Sequence, residues 1–181
     1  VIKTPNSSTL TDSHGAGIYN LDIDVDDVVT GQRILTPHDK TDTNGDYQVV
    51  VPSGLFDLTY QPPPGNRSVA VTLPGVTINN DTTVDVSLED GFFVSGWVVD
   101  EEGNALSGID LDADDLVTGQ RINTPKDNTD DSGHYEIVIP AGSFKIVFDP
   151  LLRTDLAPSM LDTVIITADT VLDTVTLLNG V

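Results

Sequence analysis

Leu21-Asp22-Ile23-Asp24-Val25-Asp26-Asp27 decides the fold class. Leu21, Ile23 and Val25 alternate with Asp22, Asp24 and Asp26, so an extended chain carries one apolar and one acidic face, the signature of a half-buried β-strand. The chain runs on through Val29-Thr30-Gly31-Gln32-Arg33-Ile34, and that string returns as Val117-Thr118-Gly119-Gln120-Arg121-Ile122 (117 − 29 = 88). The same offset carries Asp22, Asp24, Asp26 and Asp27 onto Asp110, Asp112, Asp114 and Asp115. It also carries Asp39 onto Asp127, Thr41-Asp42 onto Thr129-Asp130, and Gly45, Tyr47 and Phe56 onto Gly133, Tyr135 and Phe144. No gap is needed until the last few residues. One unit has been duplicated.

The rest of each unit reads as strands and turns. Asn44-Gly45 and Ser132-Gly133 are turn dipeptides, followed by apolar runs at Tyr47 to Val51 and Tyr135 to Ile139. Pro52-Ser53-Gly54 and Pro140-Ala141-Gly142 turn the chain into Leu55 to Tyr60 and Ser143 to Phe148, and Val76 to Leu88 and Val164 to Leu177 add further strand. No ten-residue stretch has helical periodicity. The expectation is all-β: two tandem transthyretin-like or Ig-like sandwiches of six to seven strands each, over residues 1–90 and 91–181.

The string Gly96-Trp97-Val98-Val99-Asp100, with Gly103, Leu106 and Gly108, continues to Thr129-Asp130, Gly133 and Tyr135. It ends in Val138-Ile139-Pro140-Ala141-Gly142-Ser143-Phe144. This pattern resembles the carboxypeptidase regulatory-like, or transthyretin-like, domain family across residues 92–177 and, through the repeat, 12–88. The resemblance implies a folding and interaction module without catalytic residues of its own. The acidic segment closing in Thr-Gly-Gln-Arg is not part of the generic family pattern.

Composition narrows the partners. Eight Lys and Arg against 29 Asp and Glu give a net charge of −21, which repels nucleic-acid phosphates and anionic membranes. Cysteine is absent, so there is neither a disulfide nor a thiolate metal site. No apolar run reaches the length of a spanning helix and no basic-then-apolar leader opens the chain, so membrane insertion is not expected. Acidity fits a salty or calcium-bearing exterior, so an extracellular or cell-surface protein is expected, while the absence of cysteine does not locate it.

The copies differ at their first strand. Phe92-Phe93-Val94-Ser95-Gly96-Trp97-Val98-Val99 is apolar, whereas its counterpart, Thr4-Pro5-Asn6-Ser7-Ser8-Thr9-Leu10-Thr11, is polar. Two readings stand open: a polar edge strand, or a unit completed by another chain. Both ends, Val1-Ile2-Lys3 and Gly180-Val181, fall at a repeat boundary. Self-association head to tail, through the N-terminal segment and the C-terminal edge, is therefore expected.

Carboxylates are the candidate metal ligands. Asp22, Asp24 and Asp26 share a strand face, with Asp39 and Asp42 flanking the next turn; Asp110, Asp112, Asp114, Asp127 and Asp130 repeat the set. Crowded carboxylates repel unless a cation sits among them, and Ca2+ takes six to eight oxygens. The alternative is a plain acidic face, with Asp42 and Asp130 bonded to turn backbone. Arg33 and Arg121 are read as internal partners for nearby aspartates.

No catalytic constellation appears. His14, His38 and His134 face Glu102, Lys126 and Asp46 in the other copy, and there is no Cys or G-x-S-x-G nucleophile. Trp97, the one tryptophan, reads as core. Asn6, Asn66 and Asn80 head N-x-S/T sequons, candidate glycan sites. The preferred function is a structural subunit of an extracellular filament or surface fibre. The alternatives are a spacer or carbohydrate- or ligand-binding module of a larger secreted enzyme or adhesin and, last, a secreted hydrolase.

Overall fold

Ile23 and Val25 are fully buried while Asp22, Asp24 and Asp26 point outward, and this alternation sets the frame for everything around it. The computed structural model describes residues 7–151, 153 and 155–180. Val1-Ile2-Lys3, Thr4 to Asn6 with the Asn6 sequon, and Val181 lie outside the described residues. The chain divides into two compact units, Val1–Asp90 and Gly91–Val181. No helix occurs among the described residues, so none is long and apolar enough to cross a membrane.

The first unit holds β1 (Ser8–Thr11), β2 (Asp22–Asp27), β3 (Arg33–Ile34), β4 (Asp46–Tyr47), β5 (Gly54–Gln61), β6 (Val71–Ile78) and β7 (Val86–Ser87). They form two sheets, in the orders β4-β1-β7 and β3-β2-β5-β6. The second unit holds β8 (Phe92–Val99), β9 (Asp110–Asp115), β10 (Arg121–Ile122), β11 (His134–Ile139), β12 (Gly142–Asp149), β13 (Ser159–Ile166), β14 (Thr170–Val171) and β15 (Val175–Thr176). Its sheets run β11-β8-β14, with β15 also on β8, and β10-β9-β12-β13. Each unit is thus a sandwich, its core filled by the inward residues of alternating strands. The last strand is displaced by one residue relative to the repeat: Leu10 faces Val86, whereas Val98 faces Val175 (175 − 86 = 89).

Three sequence expectations change. β1 lies between β4 and β7, in the middle of its sheet, so it is not the edge strand that its polarity indicates. Its other neighbour comes from far along the chain and is invisible to local pattern. Trp97 is 43% exposed and tilts against His134 at 5.1 Å between ring centroids. Along β8, Val94, Gly96 and Val98 point inward, so period two sends Trp97 to solvent. Finally, the run Tyr47 to Val51 keeps only Asp46–Tyr47 as strand, while its counterpart is the full six-residue β11.

Turns are held by aspartate. The Asp42 carboxylate accepts from the Asn44 and Asp46 amides at 2.8 and 3.0 Å, and Asp130 does the same for Ser132 and His134. Asp12 and Asp100, and Asp27 and Asp115, close further turns in this way. Backbone N–H donors favour the ionised form, and they are among the causes that lower the carboxyl pKa at Asp12, Asp27, Asp100, Asp115 and Asp130. Inside, the buried Thr41 and Thr129 hydroxyls each donate to a carbonyl, of Ile18 and Leu106, and accept from an amide, of Leu21 and Ile109. Much of the acidity is therefore architectural.

Candidate functional site

Two features stand out: the acidic strand face present in both units, and the segment that follows β4 in the first unit.

On the acidic face of the first unit, β2 presents Asp22, Asp24 and Asp26, and β3 brings Arg33 across from Asp26. Arg33 contacts Asp24 at 2.7 Å and clamps Asp26 with two N–H groups at 3.0 and 3.2 Å. Gln61 on β5 adds a hydrogen bond to Asp24. Asp39 lies close enough to act on Asp24, and its carboxylate accepts from the buried Thr36 hydroxyl at 2.8 Å. In the second unit Arg121 contacts Asp112 at 2.5 Å and Asp114 at 3.3 Å, Lys145 reaches Asp114 at 2.9 Å, and Thr124 donates to Asp127 at 2.7 Å.

Burial raises the pKa of Asp24 above the usual carboxylate value; Arg33 opposes it, and Asp22, Asp26 and Asp39 add to it. Asp112 is raised in the same way, by burial first, against Arg121 and with Asp110, Asp114 and Asp149. Lys145, with Arg121, holds Asp114 low. Burial also pushes Asp127 up, with Asp110 and Asp112 adding to it.

Arg33 thus joins Asp24 and Asp26, and Arg121 joins Asp112 and Asp114, while Asp22 and Asp39 lie close enough to act on Asp24, and Asp110 and Asp127 on Asp112. Asp42 and Asp130 stand apart, bonded into their turns. Among the described residues no group of three or more His, Asp or Glu side chains is arranged to hold a metal ion. Of the sequons, Asn66 is half-buried and accepts from the Ser68 amide at 2.8 Å, whereas Asn80 is exposed in a loop.

The second feature was only half legible in sequence. In the second unit all of β8 is paired: Phe92 to Trp97 with β11 on one side, and Val94-Ser95 and then Val98-Val99 with β14 and β15 on the other. In the first unit the described part of the corresponding pairing with β4 is Ser8↔Tyr47 and Thr9↔Asp46, and the residues that the repeat places farther along it, Thr4 to Asn6, lie outside the described residues. Beyond that point Gln48 to Val51 join no strand ladder among the described residues. Val49 and Val51 are half-buried, while their counterparts Ile137 and Ile139 are 2% and 0% exposed. Val50 is 83% exposed. A groove of about 460 Å³ opens here, lined by Val49, Val51, Leu58, Ile78 and Val84, with Asn80 and Asp81 at its side.

No protein-family model and no curated protein matches the sequence. Solved structures similar to it include the TIE protein of Bacillus anthracis, at 14% identity over 96% of this chain and 33% of that one (TM-score 0.39). The chain thus spans about a third of that protein's length. The shaft pilin SpaA of Lactobacillus rhamnosus GG is similar at 11% identity over 96% of each chain (TM-score 0.38). A streptococcal ancillary pilin is similar at 13% over 98% of this chain and 64% of that one (TM-score 0.37). What the chain has in full is the architecture: two tandem, all-β, immunoglobulin-like sandwiches.

Proposed function

We propose that this chain is a non-catalytic structural module of an extracellular or cell-surface fibre, joining its neighbours head to tail through sandwiches of the carboxypeptidase regulatory-like kind. The observation that carries this reading is the asymmetry between duplicates. Both units keep the same turns, buried threonines and arginine-clamped acidic face, yet the first-strand sequence is apolar in the second unit and polar in the first. A strand that has diverged in one copy of a duplicated scaffold is a candidate joint, and joints between identical units propagate rather than close. The test is electron microscopy and light scattering of the purified protein. Fibres or concentration-dependent oligomers are expected; monomers at all concentrations would remove the fibre reading.

Arg33 and Arg121, in this reading, take the neutralising role in which calcium was expected. Millimolar Ca2+ or a chelator should then leave the melting temperature within about a degree; a calcium-dependent rise of several degrees would return the acidic face to the metal-binding class. Asn80, exposed in its loop, is the better placed glycan acceptor of the two described sequons.

A second reading, a ligand- or carbohydrate-binding spacer, is favoured by one observation: the exposed Trp97–His134 pair on the outer face of β8 and β11. Aromatic faces of this kind stack on sugars. Quenching of the sole tryptophan's fluorescence by oligosaccharides, abolished by His134→Ala or not seen at all, decides for or against it.

A further inference from the structure

β6 and β13 are equivalent strands, each at an edge of its sheet and each with a bulge at its middle. The first is closed to a neighbour in two ways. Pro74 stands at its centre and has no N–H to offer another strand. The next amide, of Gly75, donates to the Asp57 carboxylate of β5 at 2.8 Å. Shifted by 88 residues, Pro74 becomes Asp162, Gly75 becomes Thr163 and Asp57 becomes Lys145. Asp162 keeps its N–H, and a lysine ammonium accepts no bond from the Thr163 amide. Among the described residues β13 pairs with β12 alone, and no strand lies along its other edge.

The outward side chains have changed in step. On the first unit's edge, Thr72 bonds Thr59 of β5, hydroxyl to hydroxyl, at 2.9 Å, and Thr77 lies opposite Leu55. Their counterparts are Met160, opposite Val147, and Ile165, opposite Ser143. Met160 and Ile165 are 54% and 68% exposed, so two large apolar groups stand in solvent where the first unit has threonines. At the bulge Asp162 and Thr163 together span Lys145, which brings Met160 and Ile165 to the same outer face, while Leu161 and Val164 pack against the core. From residue 156 to 168 the sequence has one charged side chain, Asp162, in a chain whose net charge is −21.

We propose that β13 pairs antiparallel with β13 of a second copy of this chain, about a two-fold axis between Asp162 and Thr163. The occupant is a second copy because the strand is complementary to itself. In that register Met160 meets Ile165, Leu161 meets Val164, and Asp162 meets Thr163 rather than another aspartate. Elsewhere two such acidic surfaces repel; here each brings one carboxylate, with Lys145 on the neighbouring strand. An eight-residue edge is about 26 Å long. It buries less than the roughly 1,200–2,000 Å² of a stable interface, so the pairing is weak and reversible. Unlike a head-to-tail joint, a two-fold contact closes at two copies, so it stands independently of the fibre reading and would tie neighbouring fibres side by side.

Sedimentation equilibrium of the full chain, in about 0.5 M salt to screen the net charge, tests the pairing. A monomer–dimer equilibrium is expected, with a Kd of about 0.1 mM for an interface of this size. Two variants return the first unit's residues to the second. Asp162→Pro should abolish the dimer, and Met160→Thr combined with Ile165→Thr should weaken it at least tenfold. Circular dichroism verifies that each remains folded, and the threonine pair decides if the proline variant does not. The chain has no cysteine, so the register is read by oxidation. A mixture of Met160→Cys and Ile165→Cys proteins should give mixed disulfide dimers, while either alone gives few. A monomer up to about 1 mM, a dimer indifferent to the threonine pair, or cross-linking as efficient in either protein alone as in the mixture each overturns the proposal. Dimers without fibres uphold it and remove only the fibre reading. Oligomers that grow beyond two copies and ignore the β13 changes do the reverse.

Discussion

Tyr47 and Tyr135 occupy the same place in the two units and live differently. In the first, the Tyr47 hydroxyl bonds the Tyr60 hydroxyl at 2.8 Å and the Val84 carbonyl at 2.7 Å. In the second, Phe148 replaces Tyr60, and the Tyr135 hydroxyl is buried with no hydrogen-bond partner, burial pushing its pKa up to about 12. The cores around them differ in the same spirit. Among the described residues, ten buried hydrophobic residues form the first unit's cluster and 16 form the second's. The first unit uses hydroxyl pairing where the second uses apolar bulk, and β8 and β11 supply part of that bulk through Val94, Ile137 and Ile139. The lesson is that duplication preserved the turns, while the sequence of the first strand diverged.

The largest way to sharpen this contrast is to break each core separately. Phe56 and Phe144 are both fully buried at equivalent positions. Phe144→Ala should cost about 3–5 kcal/mol and lower the upper of two calorimetric transitions. Phe56→Ala should lower the other, less stable one, which belongs to the first unit. A single cooperative transition moved equally by both variants would contradict the assignment.

Next in size is the turn that both copies share. Gly45 and Gly133 have φ of 78° and 73°, and a Cβ would fall 2.1 Å from the Leu10 carbonyl oxygen or 2.5 Å from that of Val98. Gly45→Ala and Gly133→Ala each combine the left-handed penalty of about 1–2 kcal/mol with a backbone clash. Urea titration should show losses of at least 2 kcal/mol, and the Gly45 change should cost more.

The tyrosines should respond with opposite signs. Tyr47→Phe strands the Tyr60 hydroxyl inside the core and should destabilise the first unit by about 1–3 kcal/mol. Tyr135→Phe removes an unsatisfied group and should be neutral or stabilising by up to ~1 kcal/mol. Equal losses in thermal melts would mean that Tyr135 has a partner in solution.

The smallest effect is in pH. The pKa of Asp127 is raised in the folded state, so the folded protein holds its proton longer than the unfolded chain does. Its contribution therefore falls as pH rises from the unfolded carboxylate value through the raised one, and it is unfavourable at neutral pH. Asp127→Asn should gain on the order of 1–3 °C at pH 7 and nothing below about pH 3.5, when wild type is protonated as well. Aspartates with lowered pKa, such as Asp130 with its three short donors, work the other way and lose their contribution as pH falls.

Sequence and structure agree where the reasoning was local. The strand at Asp22 to Asp27, the turns at Asn44-Gly45 and Ser132-Gly133, and the arginine partnership with strand aspartates are all consequences of side-chain alternation or short-range chemistry. Trp97 was misread because an apolar strand does not announce which of its two faces is buried. Lys145, which joins Arg121 on Asp114, carries no motif; only its pairing opposite Asp114 brings it there.

By itself, then, the sequence determined that this is a duplicated, all-β, acidic chain, because period and repeat are properties of neighbouring residues and survive without knowledge of partners. Only the tertiary structure decided that β1 is central rather than peripheral, that Trp97 faces outward, and that Lys145 comes opposite Asp114. Each of those depends on which distant strand comes alongside. Long-range pairing of that kind is fixed by packing the whole core, and no single segment encodes it.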